Sequence, residues 1–199
     1  MLKKNNNKSE LKNLLVQNRR KEKEKKEKVN VGWVSKIIIT AFLISFSLSF
    51  VAQVALPNVS LLFGILLTLL FIFIGILFDI VGVSVTSADE KVFHSMNSRQ
   101  VKGAKVAVKF KKNADKVASF CNDVIGDICG IVSGAAATTI AVSISNSLNW
   151  NLLWVNLVIA AIVASLTIGG KAIGKSFAIN KSDIILYEFS KIVSIFYKG

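Results

Sequence analysis

VSLLFGILLTLLFIFIGILFDI, Val59–Ile80, decides the fold. It carries one ionisable side chain, Asp79, next to its end. A helix needs ~20 predominantly apolar residues to cross a bilayer. A surface helix of a soluble protein keeps a polar face turned to water. This stretch has no such face, so it predicts a transmembrane helix.

Three more stretches have the same character. Ile37–Leu56 precedes it, with Trp33 and Lys36 at its start and Pro57–Asn58 as the turn between the two. A third runs over about 118–148 and holds Asp123 and Asp127 in its first half. A fourth runs over about 152–170, preceded by Asn149–Trp150–Asn151. Trp150 and Trp154 fit the aromatic belt of a membrane interface.

The charges lie between these stretches. The chain has 25 Lys and Arg against 12 Asp and Glu, a net +13, yet its mean hydropathy is +0.54. No Lys or Arg falls between Ile37 and Asp89 or between Val117 and Gly170. The first 33 residues hold 11 Lys or Arg and four Glu; Thr86–Val117 holds eight against three acids; Lys171 onward holds five against two. The two short connections at Pro57–Asn58 and Asn146–Asn151 hold none. Basic loops stay in the cytoplasm. An even number of spans puts all three basic segments there, whereas an odd number would split them. The expected fold is therefore an all-α integral membrane protein with four transmembrane helices. Both termini are expected in the cytoplasm of a bacterial cell, at its plasma membrane. Abundant Lys, Asn and Ile fit an AT-rich bacterial genome.

Residues 1–33 read as a basic cytoplasmic tail and 34–57 as an additional transmembrane helix. Residues 58–199 read as a second region, with spans at about 59–85, 118–148 and 152–170. Interfacial amphipathic helices are expected at 88–117 and 171–199, where apolar residues alternate with lysines at helical spacing. The basic tail is not read as a signal peptide, because the apolar run behind it is too long and no small-residue cleavage site follows. Its charges suit either a solvated tail or attraction to anionic lipid. Nucleic acid is not expected as a partner. Cys121 and Cys129 are two helical turns apart, too far to bridge, and read as small buried hydrophobes.

Carboxylates at membrane depth are costly and usually face protein or water. Asp79, Asp123 and Asp127 lie near the same end of their spans. They could offer oxygen ligands to a hard divalent cation, or be hydrated or paired with Lys116 or Lys171. Gly126, Gly130 and Gly134 form a ladder that allows close helix packing, continued by Ser133. No nucleophile–base pair, phosphate-binding loop or histidine cluster is present, and an enzyme is not expected.

The order of short motifs resembles the transmembrane domain of the CNNM/CorC magnesium transporter family. Asp79-Ile-Val-Gly-Val-Ser84-Val-Thr86-Ser87 stands where that family has a serine-rich motif. Gly103-Ala-Lys-Val-Ala107 follows in the basic segment, then Gly130-Ile-Val-Ser133-Gly134-Ala135. The last span ends Gly170-Lys171-Ala-Ile-Gly174-Lys175. The resemblance covers about 120 residues from Phe78. It implies divalent cation transport or homeostasis, with magnesium as the cargo and a homodimer as the assembly. Asp79, Asp123 and Asp127 are then the expected ligands, and Ser84 and Ser133 the weaker ones. The departures point elsewhere. Lys171 stands where the family has a glutamate and Gly174 where it has a proline. The resemblance does not extend to the family's CBS-pair domains. These departures imply the alternative of a non-transporting scaffold or regulatory subunit with a degenerate ion site, pairing with another membrane protein.

Overall fold

The computed structural model describes residues 31–55 and 60–196, which are helical throughout apart from turns. The basic tail before residue 31 and the Pro57–Asn58 turn lie outside the described residues. The chain divides into two compact units, Met1–Ile39 and Thr40–Gly199. The described part of the first is helical and belongs to α1, Val31–Ala55, which continues into the second.

The second unit holds the remaining helices. These are α2 (Leu61–Ser87), α3 (Glu90–Ser98), α4 (Ala104–Lys112), α5 (Ala114–Ser119), a π-helical segment (Phe120–Gly126), α6 (Asp127–Leu148), α7 (Leu152–Asn180) and α8 (Ser182–Phe196). Among the described residues, three helices are long and apolar enough to cross a membrane: Leu61–Ser87, Ala114–Leu148 and Leu152–Asn180. In α1 the apolar stretch is the shorter Val34–Phe50. Phe42, Phe46 and Phe50 recur every four residues there and stack their rings on one exposed face.

Small residues set how the three long helices meet. Gly75 packs on Cys129 and Gly126, and Gly82 packs on the amide of Asn122. Rising numbers on α2 meet falling numbers opposite, so these helices are antiparallel. Along α7, Gly170 meets Ile76, Gly174 meets Ile80, and Ala178 accepts a 3.5 Å hydrogen bond from Ser84 Oγ. Each pair is separated by 94 residues. A constant separation means that α2 and α7 run parallel in fixed register. A Cβ on Gly174 would lie 2.8 Å from Ile80 Cγ1, so glycine is needed for this approach.

The expected glycine ladder is used differently. Gly126 packs inward, but a Cβ on Gly130 or Gly134 would meet nothing within 4 Å. The tight packing stripe is instead Gly170, Gly174 and Ala178. Hydropathy alone ends the last span at Gly170, yet α7 continues to Asn180. Lys171 and Lys175 are good helix formers, and the glycine stripe goes on packing beyond the apolar run.

Short turns close the far end. Asn149 takes a left-handed conformation (φ 53°) and stops α6. Asn151 caps α7 by accepting from the Leu153 N–H at 2.9 Å. Ser145 Oγ donates to the Trp150 carbonyl at 2.7 Å.

At the near end, α3, α4 and α8 gather around Val85, Phe93, Ala107 and Leu186, all fully buried. Asp89 starts α3, accepting from Lys91 N–H at 3.0 Å, and its own N–H donates to Asp183 Oδ1 at 2.8 Å. That contact repeats the 94-residue separation and carries the register of the spans into the connecting helices. The segment expected as amphipathic helices over 88–117 is thus two short helices, and its last residues begin the next long helix.

The packing yields a direct contrast. Gly174→Leu should lower the melting temperature of the detergent-purified chain, since overpacking costs about 1–3 kcal/mol. Gly130→Leu should not lower the melting temperature of the monomeric fraction, because no other part of the described chain faces it. Circular dichroism during heating reads both.

Candidate functional site

The seam between α2 and the π-helical segment concentrates the polar groups of the bundle. Gly75, Asp79 and Gly82 are spaced i, i+4, i+7, which is one face of α2. Gly75 touches the chain near Gly126 and Gly82 touches Asn122. Asp79 lies between them in height and therefore faces the π-helical segment.

Asp79 is 4% exposed, and its Oδ2 has no hydrogen-bond partner. Asn122 Oδ1 is likewise buried without a donor. Both are acceptors. A buried polar atom left unpaired costs about 1–3 kcal/mol, and more when it is charged. Two acceptors on one seam call for a group that supplies positive charge or protons. The π-helical turn is what brings Asn122 there. Single π turns inside α-helices lie frequently at functional sites. Its wider turn shifts side chains away from the positions that an α-helix would give them.

The remaining candidates occupy other positions. Asp123 is exposed and accepts a 2.5 Å hydrogen bond from Ser119 Oγ, one turn earlier. Asp127 is 67% exposed and lies 3.9 Å from Lys171 Nζ. Among the described residues no three His, Cys, Asp or Glu side chains converge as a metal-binding group. Ser84 and Ser133 are fully buried, and each donates to a carbonyl of its own helix, Ile80 O at 2.8 Å and Gly130 O at 2.9 Å. Their oxygens keep lone pairs but spend their protons locally.

Lys171 reaches toward the same region from α7. Its Nζ lies 3.5 Å from where a Cβ on Gly126 would stand. The ammonium is paired with Asp127, and Asp79 Oδ2 has no hydrogen-bond partner. Asn122 was not among the residues singled out from sequence. An uncharged amide in an apolar run gives little signal, and the π turn that orients it has no composition of its own. The spacing of Gly75, Asp79 and Gly82 was the available clue.

The seam can be tested by exchange of volume. A Cβ on Gly82 would collide with the Asn122 amide. Gly82→Ala alone should cost about 1–3 kcal/mol of stability. Gly82→Ala with Asn122→Ala should recover most of it, because the amide no longer fills that space; a thermal double-mutant cycle measures the coupling.

Compared with known protein families, curated proteins and solved structures, the chain has no significant match.

Proposed function

We propose that this chain is a CNNM/CorC-like integral membrane protein of the bacterial plasma membrane that binds and moves a divalent cation, magnesium. The observation that carries this reading is the pair of buried acceptors, Asp79 Oδ2 and Asn122 Oδ1, without donors. A carboxylate at membrane depth costs ~2.5–3.5 kcal/mol on insertion scales. A hard cation offsets that cost and satisfies both oxygens. Magnesium keeps several of its waters and takes one or two carboxylates, so it does not need a cage of three acidic side chains. Ser84 and Ser133 are secondary oxygen donors in this reading. Asp123 and Asp127, exposed on the next helix, act as an outer acidic pair that draws cations in.

The topology in this reading has four crossings, with α1 as the first. The apolar Val34–Phe50 stretch and the exposed phenylalanine face of α1 support it. The sidedness of the basic residues supports cytoplasmic termini and interfacial placement of α3, α4 and α8. A homodimer fits the open face at Gly130 and Gly134, where small residues are free to approach a second helix.

Purified chain in liposomes loaded with a magnesium-sensitive dye tests the proposal. The parent should show flux, and Asp79→Asn should reduce it at least about tenfold, the equivalent of ~1.4 kcal/mol. Magnesium should also raise the melting temperature of the parent and not of Asp79→Asn. Undiminished flux through Asp79→Asn would remove Asp79 from the site.

One observation favours a second reading, a non-transporting regulatory subunit. The Lys171 ammonium stands close to Gly126 and pairs with Asp127, where a positive charge opposes entry of a divalent cation. Under this reading the parent shows no flux, and Lys171→Glu gains magnesium-dependent stabilisation that the parent lacks.

A further inference from the structure

Helix α4 carries Lys105, Lys109 and Lys112 at i, i+4 and i+7, all exposed on one face. Lys102 precedes them by three residues and Lys116 follows by four, and both are exposed as well. The five lysines thus recur at intervals of three and four. From Arg99 to Ser119 the sole acid is Asp115, itself exposed between the last two.

The opposite face of α4 cannot turn outward. Ala104 is buried, and Ala107 and Val108 pack into the core of Val85, Phe93 and Leu186. Gly103 enters the helix in the left-handed region (φ 88°), and a Cβ on it would lie 3.0 Å from the Lys191 backbone. Phe110 packs its ring on Phe189, with centroids 5.9 Å apart. The lysine row is therefore held in place by the fold.

Its level along the bundle is also set. Lys111, on the inner flank of α4, donates to the Val85 carbonyl at 3.1 Å and the Thr86 carbonyl at 2.7 Å. These are among the last carbonyls of α2, at the point where its apolar run stops. Lys116 stands in the first turns of the next long apolar helix, Ala114–Leu148. The row therefore crosses the ends of two helices suited to span a membrane, which is headgroup height when those helices stand in a bilayer.

We propose that this row, Lys102, Lys105, Lys109, Lys112 and Lys116, binds anionic phospholipid headgroups. The proposal rests on the membrane placement above and does not depend on cation transport. A basic residue near an anionic surface contributes attraction that falls off within a Debye length. Fixed at headgroup height, the row makes lipid phosphates its partner in preference to a soluble polyanion.

The test uses the full chain. Native mass spectrometry after release from micelles holding equal phosphatidylglycerol and phosphatidylcholine should show retained lipid that is mostly phosphatidylglycerol. Lys105→Glu/Lys109→Glu/Lys112→Glu should reduce that preference at least about tenfold. A control with the same charge change in the tail, Lys21→Glu/Lys23→Glu/Lys25→Glu, should keep it. For the parent alone, phosphatidylglycerol retention should fall as the salt of the micelle buffer is raised before exchange. Equal retention of the two lipids by the parent overturns the proposal, as does an unchanged preference in the α4 variant. Displacement of the lipid by millimolar glycerol phosphate, the headgroup without its chains, also overturns it in favour of a soluble phosphate. Flotation with liposomes separates the two levels of the argument. A chain that floats with neither lipid overturns the membrane placement itself. A chain that floats and shows no preference overturns the headgroup site alone.

Discussion

Close approach to α2 on two sides is the constraint on which the rest of the molecule depends. Gly75 and Gly82 admit the π-helical segment and α6 on one face. Gly170, Gly174 and Ala178 bring α7 against Ile76, Ile80 and Ser84 on another. In an apolar surround the hydrophobic effect does not hold helices together. Van der Waals contact and a few polar links must do so. Small residues maximise that contact. The same register then fixes Asp89 against Asp183, so the connecting helices are positioned by the spans.

This closeness also creates the polar seam. With no side chain at Gly82, the Asn122 amide fits against the backbone of α2. With α7 drawn in on the neighbouring face, water has little room beside Asp79. The result is an acidic side chain and an amide oxygen in a dry, tightly packed setting. Electrostatic interactions are strong in such a setting, and an unmet acceptor is costly. Lys171 lies near enough to influence the region, yet its ion pair is with the exposed Asp127. The inner carboxyl thus has an oxygen without a partner, and the outer one has a lysine.

Hydropathy located the long helices because twenty apolar residues in a row have few other uses. It placed the ends less well. Lys171 marks where the apolar run stops and not where the helix stops, since no proline follows before Asn180 and the packing of Gly174 and Ala178 on α2 offsets glycine's low helix propensity. The aspartates were noticed because charge is rare in such runs, and Asp79 is indeed buried. Charge does not say which way a side chain points, and Asp123 and Asp127 point outward. Asn122 and the Gly170–Gly174–Ala178 stripe went unread for different reasons. The amide needs a π turn to reach the seam, and that turn depends on packing. The stripe resembled a motif of known type, which drew attention from its spacing. The Gly126–Gly130–Gly134 ladder had the right spacing, but only one of its members faces a neighbour in the chain.

The π-helical segment has a consequence for how the long helix Ala114–Leu148 tolerates change in length. A π turn accommodates one residue more than an α turn, and each residue of an α-helix rotates the face by about 100°. The segment therefore acts as a phase adjuster between two halves of one rod. Lys116 and its neighbours in front of it, and the Gly130 face behind it, are each oriented correctly only because the extra residue is present. Loss of one residue anywhere between Phe120 and Gly126 would allow an unbroken α-helix and leave the hydropathy of the stretch almost unchanged. It would nevertheless twist the two halves out of alignment and turn Asn122 from its seat on Gly82. In this part of the chain, residue count carries information that residue type does not.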